Sequence, residues 1–348
     1  MGISFLAGCD NEKQQIFKEA QKDLKQGSYD YALDEFTTSV NNGVNLTASY
    51  RGIGICQLRF GNYEDAITAF SNALDTENVS KAVAKDLYLY RATARLQADQ
   101  PEAAMADCQV LAQNYDMDAD SWFLTGKVAL AMDGYDEASS DFEQAYGEDS
   151  SYDRAIQIYE TYLEKDMEAD GTRYLEAVLS TEAKGADDLC ERGRIYYYMG
   201  DYANAKKELT DASNQGSQEA LLVLGMVYSA QEDYANARSM YQQYINQKLE
   251  ESSKKQTQTA APGYNGLAVC DMADGNYDSA LENINSGISV ASDDEMQSLL
   301  FNEIVAYEKK LDFSTAQEKA QEYVGMYPED EEAAKELDFL KSRTGTVQ

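Results

Sequence analysis

The sequence contains no histidine, one tryptophan and three prolines in 348 residues. Without histidine it lacks the commonest general base and the commonest zinc ligand, and no nucleophile–base–orienter set can be assembled. Five cysteines are present, none in a C-x-x-C pair, so neither a zinc site nor a redox couple is indicated. No glycine-rich phosphate loop occurs, and no alternation of β-branched residues points to a sheet. Basic residues are also scarce: 29 Lys and Arg stand against 62 Asp and Glu, for a net charge of −33. Such a surface repels phosphate backbones and argues against nucleic-acid binding. It favours solubility and basic partners, within a screening length of roughly 8 Å at physiological salt. The chemistry that remains is that of a non-enzyme without a cofactor.

What is present is periodicity. Tyr50 to Ala73 carries two helix-period patterns split by Gly61-Asn62-Tyr63. Tyr50, Ile53 and Gly54 share one face of the first half; Ala66, Phe70 and Ala73 share one face of the second. Gly61 is suited to end the first helix in a left-handed conformation. Tyr63 is expected in the corner, and Gly54 and Ala66 let the two helices approach closely. Taking Ala66 as a marker, equivalent positions fall at Ala32, Ala104, Ala138, Gly171, Ala205, Ala237, Ala280 and Ala316. The nine markers are separated by 34, 38, 34, 33, 34, 32, 43 and 36 residues. The corner is degenerate in the third repeat, where Asp99-Gln100-Pro101 replaces Gly-x-Tyr. It recovers in the fourth with Gly134-Tyr135, and the fifth loses its tyrosine.

The aromatic-x2-aliphatic-Gly and Ala-x3-Phe pattern, recurring at about 34 residues, resembles the tetratricopeptide repeat. The resemblance implies an all-α solenoid of about nine helix hairpins in a right-handed superhelix over residues 13–343. A polar insertion over about 248–263 accounts for the 43-residue gap. An amphipathic stretch at about 329–343 is expected to cap the last repeat.

At the N-terminus, Leu6-Ala7-Gly8-Cys9 resembles the lipobox of bacterial lipoproteins. That resemblance implies a remnant signal peptide over 1–8, a lipidated Cys9 and a polar tether over 9–12. No Lys or Arg precedes Cys9, so the start is expected to lie inside a longer signal peptide. Cys56, Cys108, Cys190 and Cys270 are expected as buried small hydrophobes.

Two acidic patterns are candidate sites. Asp116, Asp118 and Asp120 resemble the start of a calcium loop, but Ser121 and Lys127 stand where Gly and Glu are required. An inter-repeat turn is the better reading. Asp86, Asp120, Asp153, Asp187 and Glu219 read as first-turn acids that complement the helix dipole, with an acidic ladder as the alternative.

In the resembled family the first helix of each hairpin lines a concave groove. Carried onto this sequence, the groove residues are Phe17, Arg51, Ile55, Leu89, Phe123, Lys127 and Ile156, then Arg194, Tyr197, Leu222, Met226, Val269 and Phe301. An apolar floor with spaced cations suits an extended or helical peptide. The family's carboxylate-clamp residue set is not found. The expected protein is a lipid-anchored, extracytoplasmic scaffold of a bacterial envelope that binds another protein or peptide. Its alternatives are a glycan- or solute-binding lipoprotein using exposed tyrosines, and a cytoplasmic adaptor if the L-A-G-C is accidental.

Overall fold

The computed structural model describes residues 4–251, 259–328 and 330–345. The side chains of residues 4–11 lie outside that description, and with them Cys9 and the expected anchor. Nineteen α-helices and no strand occur among the described residues, as a solenoid of helix hairpins requires.

The chain divides into two compact units, Met1–Met167 and Glu168–Gln348. The first holds α1 (Ser4–Gln26), α2 (Tyr29–Asn41), α3 (Leu46–Arg59), α4 (Tyr63–Leu74) and α5 (Lys81–Gln97). It continues with α6 (Pro101–Asn114), α7 (Ala119–Ala131), α8 (Tyr135–Glu148) and α9 (Tyr152–Leu163). The second holds α10 (Glu168–Leu179), α11 (Ala186–Tyr198), α12 (Tyr202–Asn214), α13 (Glu219–Ala230) and α14 (Tyr234–Glu251). It ends with α15 (Ala261–Ala273), α16 (Tyr277–Ile288), α17 (Asp293–Lys309), α18 (Phe313–Met326) and α19 (Glu331–Thr344). The boundary between units falls within the fifth repeat. Residues 252–258, in the polar insertion, lie outside the described residues.

Each hairpin turns at one left-handed residue. These are Gly27, Gly61, Asp99, Asp133, Asp166, Gly200, Glu232, Gly275 and Leu311, with φ between 55° and 79°. Each precedes its repeat marker by five residues, so the turn and the marker share one spacing along the whole chain. From its sequence the fourth corner is expected at Gly134. The left-handed residue is instead Asp133, and Gly134 sits at φ −83° as the residue before α8. Asp tolerates this conformation better than most side chains, which is why the turn survives without glycine there.

The markers are buried, as are the large residues four positions later. Phe36, Phe70 and Phe142 are essentially inaccessible, and burying each contributes about 1.5–3 kcal/mol relative to leaving it exposed. Phe70 and Phe142 fit because a glycine faces each from the first helix of the same hairpin, whereas Phe36 is faced by Gly52 from the first helix of the next. A Cβ on Gly54 would collide with Phe70, one on Gly126 with Phe142, and one on Gly225 with Tyr241. The close approach expected at Gly54 is therefore one of backbone to aromatic ring.

Polar contacts repeat at the same period and tie neighbouring hairpins within each unit. Lys85 reaches Asp118 at 2.6 Å, Arg238 reaches Asp271 at 2.9 Å and Lys310 reaches Asp278 at 2.6 Å. The last helix, α19, packs on α17 and α18. Ala333, Leu337 and Leu340 close over Ile304, Ala316, Ala320 and Tyr323, and the Tyr323 hydroxyl donates to the N-cap carboxylate of Asp330 at 2.7 Å.

Candidate functional site

Helices α5 and α7 of the first unit enclose a cleft of about 350 Å³, lined by Leu89, Tyr90, Phe123, Leu124 and Lys127 with Asp86 and Asp120. Its walls are held by ring contacts. Tyr90 stacks on Phe70 at 5.4 Å, and the Arg51 guanidinium lies 5.1 Å from the Tyr90 centroid. Phe123 lies between two cations, Lys127 at 5.8 Å and Arg154 at 4.8 Å. Cations over aromatic faces in partly desolvated sites are worth about 0.5–2 kcal/mol each.

A second cleft, of about 490 Å³, lies in the second unit among α11, α13, α14, α15 and α17. Tyr197, Leu222, Met226 and Val269 form much of its apolar surface, and Tyr241 forms part of its floor. Tyr241 is pinned between Gly225 of α13 and Gly266 of α15, either of which would clash with it as alanine. Burial pushes the Tyr241 hydroxyl up to about 12, so it stays a neutral phenol. Asn302 Nδ2 donates to Oδ1 of the cleft residue Asn265 at 2.8 Å, and Glu295 also lines the cleft.

Seven of the thirteen groove residues expected from sequence line these clefts: Leu89, Phe123 and Lys127 in the first, Tyr197, Leu222, Met226 and Val269 in the second. The other six do not. Phe17 is buried, edge-on to Phe36 at 6.0 Å. Ile156 is buried because α9 is covered nearly all round from Arg154 to Tyr162. Ile55 packs on the cluster around Phe70 and Leu87, and Phe301 packs on Tyr323. Arg51 is committed to Asp86 and Arg194 to Glu191, each at 2.5 Å. The expected row of spaced cations therefore reduces to Lys127, which sits over a ring.

The acidic residues also differ in part from expectation. Asp86 is the sixth residue of α5, which has no acid in its first turn; its role is to receive Arg51 from the preceding repeat. Glu219 forms an ion pair with Lys248 at 3.0 Å, and Asp120 pairs with Arg154. Asp118 caps α7 through the Ser121 N–H at 3.0 Å and binds Lys85. Burial works against its charge, yet the Lys85 ammonium and the Ser121 donors hold it down at about 2. The carboxylate of the would-be calcium loop is thus spent on a turn.

Cys56, Cys108, Cys190 and Cys270 are buried and free. Burial pushes the Cys56 thiol up to about 12 and the Cys108 and Cys190 thiols up to about 11, which keeps them un-ionised and unreactive.

Sequence reasoning missed Gly266, Asn265, Ser298 and Glu295. Gly266 alone left a signal, because a glycine inside a helix marks a close approach.

The sequence model of the tetratricopeptide repeat matches residues 52–119 and 190–253, which contain parts of both clefts. Both stretches carry the tetratricopeptide repeat pattern. Among solved structures, the repeat chain is similar to a tetratricopeptide repeat protein from Parabacteroides merdae, at 15% identity over 75% of this chain and 99% of that one, with a TM-score of 0.44. A repeat-containing protein from Cytophaga hutchinsonii matches at 16% identity over 82% and 98%, with a TM-score of 0.37. A chain of the APC/C hetero-tetramer Cut9-Hcn1 matches at 14% identity over 88% of this chain, with a TM-score of 0.42, and this chain spans 59% of it. No curated protein matches the sequence. A tetratricopeptide fold is a scaffold suited to protein–protein interaction.

Proposed function

We propose that the protein is a scaffold held to a bacterial envelope membrane by lipid on Cys9, facing away from the cytoplasm and presenting its clefts to another protein or peptide. The observation that carries the binding half is the convergence of Leu222, Met226 and Val269 on one cleft of about 490 Å³, with Val269 exposed. The anchor half rests on Leu6-Ala7-Gly8-Cys9. Among the described residues no helix is long and apolar enough to cross a membrane.

Binding of a glycan by stacking is not favoured. Tyr31, Tyr135 and Tyr198 are the tyrosines most exposed among the described residues, and none lines either cleft.

The test of the anchor is membrane fractionation of the full-length protein with Cys9 and with Cys9→Ala. The proposal expects the membrane fraction to disappear in the variant. An unchanged distribution would remove the anchor and make a cytoplasmic adaptor the better reading.

A further inference from the structure

Resting on the groove reading proposed above, we infer that the second cleft takes a short apolar segment carrying a lysine or arginine beside its apolar anchors. The partner's charge is assigned from the cleft itself. Glu295 is the one charged side chain among the described residues that line it; the rest are apolar or neutral. Its position is fixed. Thr259 Oγ1 donates to Glu295 Oε2 at 2.7 Å, and the Ser292 N–H and hydroxyl both donate to it at 2.8 Å. These bonds include the capping box of α17, so the carboxylate is held without the entropy cost of immobilising it on binding.

The surroundings point the same way. Met226, Leu222 and Val269 offer room for one or two aliphatic side chains, and Tyr241 closes the floor. The chain as a whole is at −33, so an acidic segment would approach against the field while a basic one is drawn in. The first cleft is lined by Lys127 together with Asp86 and Asp120, which are paired with Arg51 and Arg154, so the assignment applies to the second alone.

The experiment uses the full chain and three fluorescent, amidated peptides of leucine and alanine that differ at one position: lysine, glutamine or glutamate. Anisotropy at low salt is expected to rank them lysine, glutamine, glutamate, with the first two separated by about two- to fivefold. Glu295→Gln removes the charge but keeps the capping box, since glutamine serves at that position as well as glutamate. It is expected to abolish the lysine preference. Val269→Arg, at an exposed position, is expected to invert the order. A lysine preference that persists in Glu295→Gln reflects bulk charge and overturns the assignment, as do equal affinities for all three peptides; both leave the groove reading standing. Failure of every peptide to bind, or binding indifferent to Val269→Arg, overturns the groove reading too.

Discussion

A Cβ built on Gly126 would lie 2.7 Å from Cε1 of Phe142. The two residues belong to facing helices of one hairpin, and Phe142 also meets Tyr162 edge-on at 5.2 Å. The ring can move neither forward nor back. Gly126→Ala is therefore expected to destabilise the protein by about 1–3 kcal/mol through overpacking, despite the better helix propensity of alanine. In urea denaturation, adding Phe142→Leu to Gly126→Ala should cost less than Phe142→Leu costs alone. Simple additivity would show that the glycine is not there for the ring.

Leu311 is a leucine at φ +64° with its side chain largely in water. A left-handed non-glycine residue costs about 1–2 kcal/mol, and an exposed side chain returns little. Leu311→Gly should raise the stability of the second unit by up to about 1 kcal/mol. A fall in the urea midpoint would mean that Leu311 makes contacts its exposure conceals.

Glu308 of α17 faces Glu336 of α19. Burial, reinforced by a hydrogen bond and the charge of that second carboxyl, pushes Glu308 up to about 8. A folded-state value above the unfolded one means that the folded state binds the extra proton. The stabilisation is complete below about 4.5 and is lost as pH rises through about 8. Hydrogen exchange in α19 should therefore slow as pH falls from 8 to 5, after correction for intrinsic exchange. Glu308→Gln should flatten that dependence, and an unchanged profile would contradict the assignment.

Arg154 pairs with Asp120 of the preceding repeat, but the two ends differ. The guanidinium is almost fully buried over Phe123, whereas the Asp120 side chain is 78% exposed. Asp120→Asn should cost no more than about 1 kcal/mol. Arg154→Ala should cost more, because it removes packing and the cation–ring contact as well as the charge. Thermal melts of the two variants give the order directly.

The repeat architecture was legible because each marker is a small residue obliged to be small by what packs on it, as Ala66 and Ala138 are. The corners were legible only through their spacing. Asp99, Asp133, Asp166, Glu232 and Leu311 carry no glycine signal, and the fixed distance to the marker is what locates them. Groove membership was half legible. A position within the repeat places Phe17 and Ile156 on a first helix, but whether they meet water depends on which neighbours cover that helix. Ion pairs such as Arg51–Asp86 join residues 35 apart, and no local pattern announces them. Gly266 was overlooked because it falls outside the repeat framework, although it completes the seat of Tyr241.

The proposed anchor at Cys9 and the proposed engagement of a partner through the apolar clefts meet in one measurement. The direct measurement is site-specific photocrosslinking in cells, with the reactive group at Val269 in the second cleft and, as control, at Lys207 on the exposed face of α12. A discrete crosslinked partner is expected from Val269, none from Lys207, and loss of the Val269 adduct in Cys9→Ala. Adducts from Lys207 alone, or a Val269 adduct indifferent to Cys9, would contradict the proposal.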